Sequence, residues 1–480
     1  MTIDADLANA PSSAEDSTTY RITRRGLWAR IVFVLCLVTT AYVVPITRNV
    51  QDAVSGSFSA YTVILPVLAA LIAAGYTRPP RGVSDAETDW IVAAVLGGGG
   101  YLILTLLIER MPTMTGLWRV DNLFPSLWAG AASIVVFSAR HVLRMWPLWV
   151  FLFLTAPVAV YMAVTAALGG TENDAVLVAA LLGTVAVFLS ARVAPWSWRL
   201  SATGVCLMLG CGIDQISRLL TNSLLLRIVL VAGLVPLATV LVVHQLVHVA
   251  GRQRFSKLQT RFPRRRPWSY PTLALISFLL LWTALHTPPR PQIPQAQADW
   301  TAQLQLRPTA HYEFISRFVG VGATLTRYRF PADRDEQGVA IDVMFAPNLA
   351  RLTDYSAAVW YPSAAPVNYR AIGTGFPVAA ESLRSGTANL ADGDQAADWY
   401  LVTWTWKVPG GYQRVTLIMD QTVPAQEPPA PRPLTLGNSL IGPSIWLARQ
   451  QPDSESSIPA DAARVIEAVT RRVLIAGSPR

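Results

Sequence analysis

The chain is poor in charge and in cysteine, and it lacks the signatures of several enzyme classes. Only 14% of its residues are charged and it holds three cysteines, Cys36, Cys206 and Cys211, all within apolar segments. The last third has no cysteine, which excludes a disulfide framework there. No P-loop, GxSxG, HExxH or CxxC occurs. Nucleotide-driven transport, esterase chemistry and zinc hydrolysis are therefore without a motif, and no cofactor or metal site is expected. The first twenty residues are polar and acidic, so they are not a signal peptide.

A mean hydropathy of +0.37 with so little charge indicates a multi-pass membrane protein. The average conceals a split, because the long apolar runs lie before residue 287. At about 20 apolar residues per span, about nine spans are expected, near 27–46, 59–76, 90–108, 122–139, 146–168, 175–193, 199–220, 224–250 and 270–286. The weakest is 199–220, where Asp214 and Arg218 interrupt a short apolar core and a re-entrant segment is the alternative.

Orientation follows from charge. Gly251 to Trp268, GRQRFSKLQTRFPRRRPW, carries seven Arg/Lys and no acid between two apolar runs. Short basic loops stay cytoplasmic. The loops with Arg24/Arg25, Arg78/Arg81 and Arg140/Arg144 fall on the same side, and the net charge of +9 reflects this distribution rather than affinity for nucleic acid. The expected protein sits in the plasma membrane, among lipids, with its N-terminus cytoplasmic and its C-terminus outside.

Four regions are expected: a disordered cytoplasmic tail (1–20), a transmembrane helical domain (21–287), a Pro-rich linker (288–299) and an extracytoplasmic α+β domain rich in antiparallel strands (300–480). Val339 to Phe345 alternates as a strand. WYLVTWTWKVPGGYQRVTLIMD reads as two strands around Pro409-Gly410-Gly411, with Val402, Trp404 and Trp406 on one face of a half-buried sheet. A helix from about Pro459 to Ile475 places Val465, Ile466, Val469 and Val473 on one stripe.

Polar residues at membrane depth are functional candidates. They gather in the seventh and eighth segments: Cys206, Cys211, Asp214, Arg218, Arg227, His244, Gln245 and His248. A cysteine nucleophile needs a base or cation beside it; otherwise a thiol in an apolar helix is a small hydrophobe. His244 and His248 share a face (i, i+4) but fall at the cytoplasmic end. Arg218 and Arg227 either snorkel to headgroups or bind an anionic group.

The order of features resembles the exosortase/archaeosortase family, membrane cysteine enzymes that cleave sorting signals and transfer the product to the envelope. SGSFSAYTVILPVLAALIAAGYTRP is similar to the family's second span, SARHVLRMWPLWVFLFLTAP to its Arg-rich helix pair, and GLVPLATVLVV to its Pro-x-Ala helix. Trp300 to Arg449 resembles the exterior domain some members carry. The chain departs from the family at its motifs. Cys206 is followed by Leu207-Met208 and Cys211 by Gly212-Ile213, where the family has Ser-Gly. The family's Asn and Arg fall on Val242 and Gln245, the later His-x-x-x-Gly is missing, and Trp360 stands where the exterior domain would carry a cysteine.

The resemblance implies processing or assembly of envelope proteins or polysaccharide, by cysteine-based cleavage and transfer. Its site would draw on Cys211 or Cys206 with Arg218 and Arg227, and its partner would be an envelope protein or exopolysaccharide machinery. The alternative is a non-enzymatic scaffold whose exterior domain binds such a partner.

Overall fold

A computed structural model describes residues 19–21, 24–76, 85–249, 261–263, 267–287, 290–330, 338–363, 367–373, 376–385, 399–421, 427–449 and 460–478. The expected tail up to residue 18 and most of the basic stretch lie outside them.

The N-terminal part is helical. Ala86–Arg110, Val120–Phe137, Glu172–Ser190, Trp196–Leu220 and Leu224–Leu246 are each long and apolar enough to cross a membrane. Two further pairs are bent, Arg25–Ala41 with Val43–Val54 by 78° and Trp146–Thr155 with Val158–Leu168 by 61°. The second bend falls at Pro157, whose backbone is extended (ψ 127°) and which has no N–H to continue the helical ladder. Among the described residues the count by length and composition is therefore five, or seven with the bent pairs; Phe58–Ala74 and Ser269–Leu285 are shorter apolar helices.

Segment 199–220 lies within one 25-residue helix, Trp196–Leu220, in which Asp214 is paired with Arg218 and with Arg227 of the next helix. Glu172–Ser190 starts with a capping box, in which the Thr171 hydroxyl accepts from the Asp174 N–H and the Asp174 carboxylate accepts from the Thr171 N–H.

Two short strands, β1 (Thr19–Arg21) and β2 (Arg261–Pro263), pair antiparallel. This corrects the edge of the expected disordered tail: Thr19 and Tyr20 pair with Pro263 and Phe262, inside the long basic run.

The C-terminal part is one antiparallel sheet of seven strands. They are β3 (Arg307–His311), β4 (Thr324–Arg329), β5 (Val339–Ala346), β6 (Arg370–Ala371), β7 (Glu381–Arg384), β8 (Trp399–Val408) and β9 (Gly411–Asp420), in the order β3-β4-β5-β9-β8-β7-β6. The hairpin of β8 and β9 closes at Val408↔Gly411, with Gly410 at φ +88° where a side chain would be strained.

The sheet is not half-buried as its alternation suggests. β5, β8 and β9 are covered on both faces. On one face Val402, Trp404, Trp406 and Leu417 pack against Ile466, Val469 and Val473 of the C-terminal helix Ala460–Gly477. On the other, Leu401, Ile418 and Met344 belong to a core that also contains Phe58, Tyr61 and Ile228 of the helical part. The two parts thus share one apolar core.

Close backbone approach confirms the seam. A Cβ on Gly170, at φ +74°, would lie 1.9 Å from the carbonyl oxygen of Arg317. One on Gly56, at φ +86°, would lie 2.7 Å from Nδ2 of Asn348.

Candidate functional site

The seam also carries a chain of charged groups, buried at Asp214, Arg227, Arg351, Asp354 and Asp52 and exposed at Arg218, Glu172 and Arg290. It begins in the turn Ser55–Ser57, where Gly56 reverses the backbone so that Phe58–Ile64 can start a short helix capped by the Ser57 hydroxyl. From the sheet side comes the junction helix Leu349–Asp354. Asp354 ends it and accepts from the Ser57 hydroxyl at 2.5 Å and from the Phe58 N–H at 2.8 Å. That N–H is one of the donors a helix start leaves unpaired, so a residue about three hundred positions away completes the cap.

Arg351, one turn earlier, reaches the same turn. Its Nε donates to the Gly56 carbonyl at 2.5 Å, its Nη2 donates to Glu172 at 3.0 Å, and its guanidinium stacks 3.5 Å above the Phe58 ring. Glu172 lies in the first turn of its helix, where a carboxylate is favoured by the helix dipole, and its second oxygen is 3.9 Å from Arg227. Arg227 then donates to Asp214 at 2.7 Å and to Asn173 at 2.8 Å. Arg218 closes this end on the other oxygen of Asp214 at 2.5 Å.

The chain continues in the opposite direction from Asp354. Arg119, held at a left-handed φ of 46°, lies 3.8 Å from Asp354 and 3.6 Å from Asp52. Arg290, from the Pro-rich linker, grips Asp52 with two parallel hydrogen bonds of 2.6 and 2.9 Å, the strong bidentate geometry of arginine on carboxylate. Nine groups therefore alternate in sign: Arg218, Asp214, Arg227, Glu172, Arg351, Asp354, Arg119, Asp52, Arg290.

Burial gives this chain its character. It pushes the Asp354 carboxyl above the usual carboxylate range, against the pull of Arg119 and the hydrogen bonds of Ser57 and Phe58. It also lowers the Arg351 guanidinium, against Asp354 and Glu172. Removing water from such groups costs several kcal/mol per ion and is offset only by good geometry. Every carboxylate is engaged by arginine, so none is placed to act as a free base. The arrangement holds elements together.

The four residues singled out by sequence divide in two. Arg218 and Arg227 meet on Asp214. Cys206 lies eight residues earlier on the same helix, about 12 Å along its axis, and is 2% exposed. It lies beside the side chains of Thr184 and Thr239, whose hydroxyls donate to the carbonyls of Ala180 and Val235. Cys211 is exposed, on a helix face turned away from the buried Cys206, Gly210 and Asp214. His244 is seventeen residues beyond Arg227 on the next helix, about 25 Å towards its other end.

Sequence reasoning missed Asp52, Ser57, Glu172, Arg290, Arg351 and Asp354. The only local signal was the SGSFS turn; the rest depends on pairings across the whole chain. Among the described residues, no group of three or more His, Cys, Asp or Glu is placed to hold a metal. No family model, curated protein or solved structure matches the chain.

Proposed function

We propose that the chain is an exosortase-like multi-pass protein of the plasma membrane that serves envelope assembly as a scaffold. Its sheet domain stands outside the cell and presents a surface to an envelope protein or polysaccharide. In this reading the two bent pairs and the two shorter apolar helices also span, giving nine crossings, a cytoplasmic N-terminus and an extracytoplasmic C-terminus. The pairing of β1 with β2 supports a common side for the N-terminal segment and the basic stretch. Exposed apolar side chains such as Leu102, Ile103, Leu219 and Leu220 support contact with lipid.

One observation favours holding over cutting. The ion pairs are concentrated where the sheet domain meets the helices, while Cys206 lies in the apolar core beside Thr184 and Thr239. A cysteine transpeptidase needs the reverse, a thiol beside a cation or base.

The experiment compares two lesions in cells. Cys206→Ala with Cys211→Ala should leave envelope maturation at the wild-type level, whereas removal of residues 300–480 should abolish it with the helical part still inserted. Loss of maturation in the double cysteine variant would sink the scaffold and restore the enzyme. In the same cysteine-free background, Asp461→Cys on the C-terminal helix should react with a membrane-impermeant maleimide in intact cells. Labelling only after lysis would reverse the orientation.

A further inference from the structure

A cavity of about 170 Å³ lies beside the seam, away from the charge chain. Its walls come from three places. Thr113 and Leu117 belong to the helix Pro112–Trp118 of the helical part, Tyr361 and Val367 to the sheet part, and Arg432 and Ser439 to the segment that follows β9. The Thr113 hydroxyl donates to the Val367 carbonyl at 2.6 Å, which fixes the first two walls to each other. The Arg432 N–H donates to the Trp360 carbonyl at 2.7 Å, which fixes the third.

Arg432 is the unusual member. Its Nε is sheltered from solvent with no hydrogen-bond acceptor, and its guanidinium makes no ion pair with any described residue. Arg327, buried in the sheet part, has by contrast a carboxylate at 2.8 Å and two backbone carbonyls. Burial lowers Arg432 below the ordinary arginine value with nothing to reverse it. A half-buried cation without a counter-charge is costly, and a cavity beside it leaves room for the missing anion.

The flank of the cavity indicates what carries the anion. Trp446 lines it and is held by Arg110 of the helical part, whose guanidinium lies 5.1 Å from the ring centroid. On the same segment Leu436, Ile441 and Ile445 are exposed to solvent. A cationic wall bordered by exposed apolar side chains suits an amphiphile, with its charged group inside and its chains outside. The volume is below the roughly 300 Å³ at which drug-sized sites begin, so a headgroup fits and a whole lipid does not. One guanidinium matches one negative charge.

We infer that this cavity binds a monoanionic phosphodiester through Arg432, either a lipid headgroup or a free one. The lipid source rests on the membrane reading above; the anion site does not. The test uses the full-length protein in a neutral maltoside detergent, titrated separately with phosphatidylglycerol, dimethyl phosphate and uncharged diacylglycerol. Phosphatidylglycerol is expected to bind, Arg432→Gln to weaken it by about tenfold or more, and Arg432→Lys to weaken it less.

Binding of phosphatidylglycerol alone assigns the lipid. Equal binding of dimethyl phosphate assigns the free anion and keeps the site even if the membrane reading fails. Ser439→Leu, which fills the cavity and leaves the charge, should also abolish binding, and it decides the matter if Arg432→Gln does not fold. The inference is overturned if either variant folds and binds as wild type does, if diacylglycerol binds as tightly as phosphatidylglycerol, or if none of the three binds.

Discussion

The two faces of the sheet are covered by different means. One is closed by a helix that follows in the sequence, through an unbroken apolar contact of tryptophans, valines and leucines with Ile466, Val469 and Val473. The other contains buried charge. Arg327 is paired with Asp342 at 2.8 Å, and Asp342 also accepts from the Tyr361 hydroxyl at 2.6 Å. Burial alone would lower Arg327, and the adjacent carboxylate more than reverses it. Arg414 donates to the carbonyls of Tyr355 and Ser356, just beyond the junction helix.

The difference teaches how the two parts are joined. An apolar face packs on any matching apolar surface, but a charged one is stable only where specific partners complete it. The first face closes the sheet domain on itself. The second packs on the helices, and Arg351 and Asp354 of the junction helix beside it hold the Gly56–Phe58 turn of the helical part.

The comparison can be broken from either side. The largest effect is expected at the seam. Asp354→Ala leaves the Phe58 N–H and the Ser57 hydroxyl without their buried acceptor and takes from Arg119 one of its two carboxylates, and should cost about 3 to 5 kcal/mol, read from denaturant unfolding in detergent. Gly170→Val should be comparable, since its side chain meets the Arg317 backbone and its φ is unfavourable. On the other face Ile466→Ala opens an apolar cavity and should cost about 2 to 4 kcal/mol. Equal behaviour of Asp354→Ala and wild type would mean that the seam contributes little.

The smallest effect concerns pH. Burial raises the carboxyl of Glu381 on β7, partly countered by Arg414. Because its folded value exceeds its unfolded one, the stability it contributes is complete below the ordinary glutamate range and is lost as pH rises through the raised value. Glu381→Gln should flatten that decline in melting temperature. An unchanged pH profile would remove Glu381 from the account.

What sequence could show follows the same division. The C-terminal helix, the β8–β9 hairpin and the apolar helices were legible because each is written as a local period of 3.6 or 2. Burial of the second sheet face was not, since Leu401 and Ile418 carry no mark of what covers them. Asp214 and Arg218 were legible as an interruption, but their partner Arg227 lies on the next helix. Asp354 stands in no recognisable motif, and its role appears only when Ser57 is brought to it. The cysteines drew attention by their chemistry, while the threonines beside Cys206, Thr184 and Thr239, are indistinguishable in sequence from any others.

The claim that the seam joins both parts is tested most directly by hydrogen exchange on the full-length protein. Asp354→Ala is predicted to speed exchange both in Phe58–Ile64 and across β8 and β9, whereas Ile466→Ala speeds it in the strands alone. If the effect of Asp354→Ala stays within Leu349–Asp354, the two parts are independent and the account is wrong.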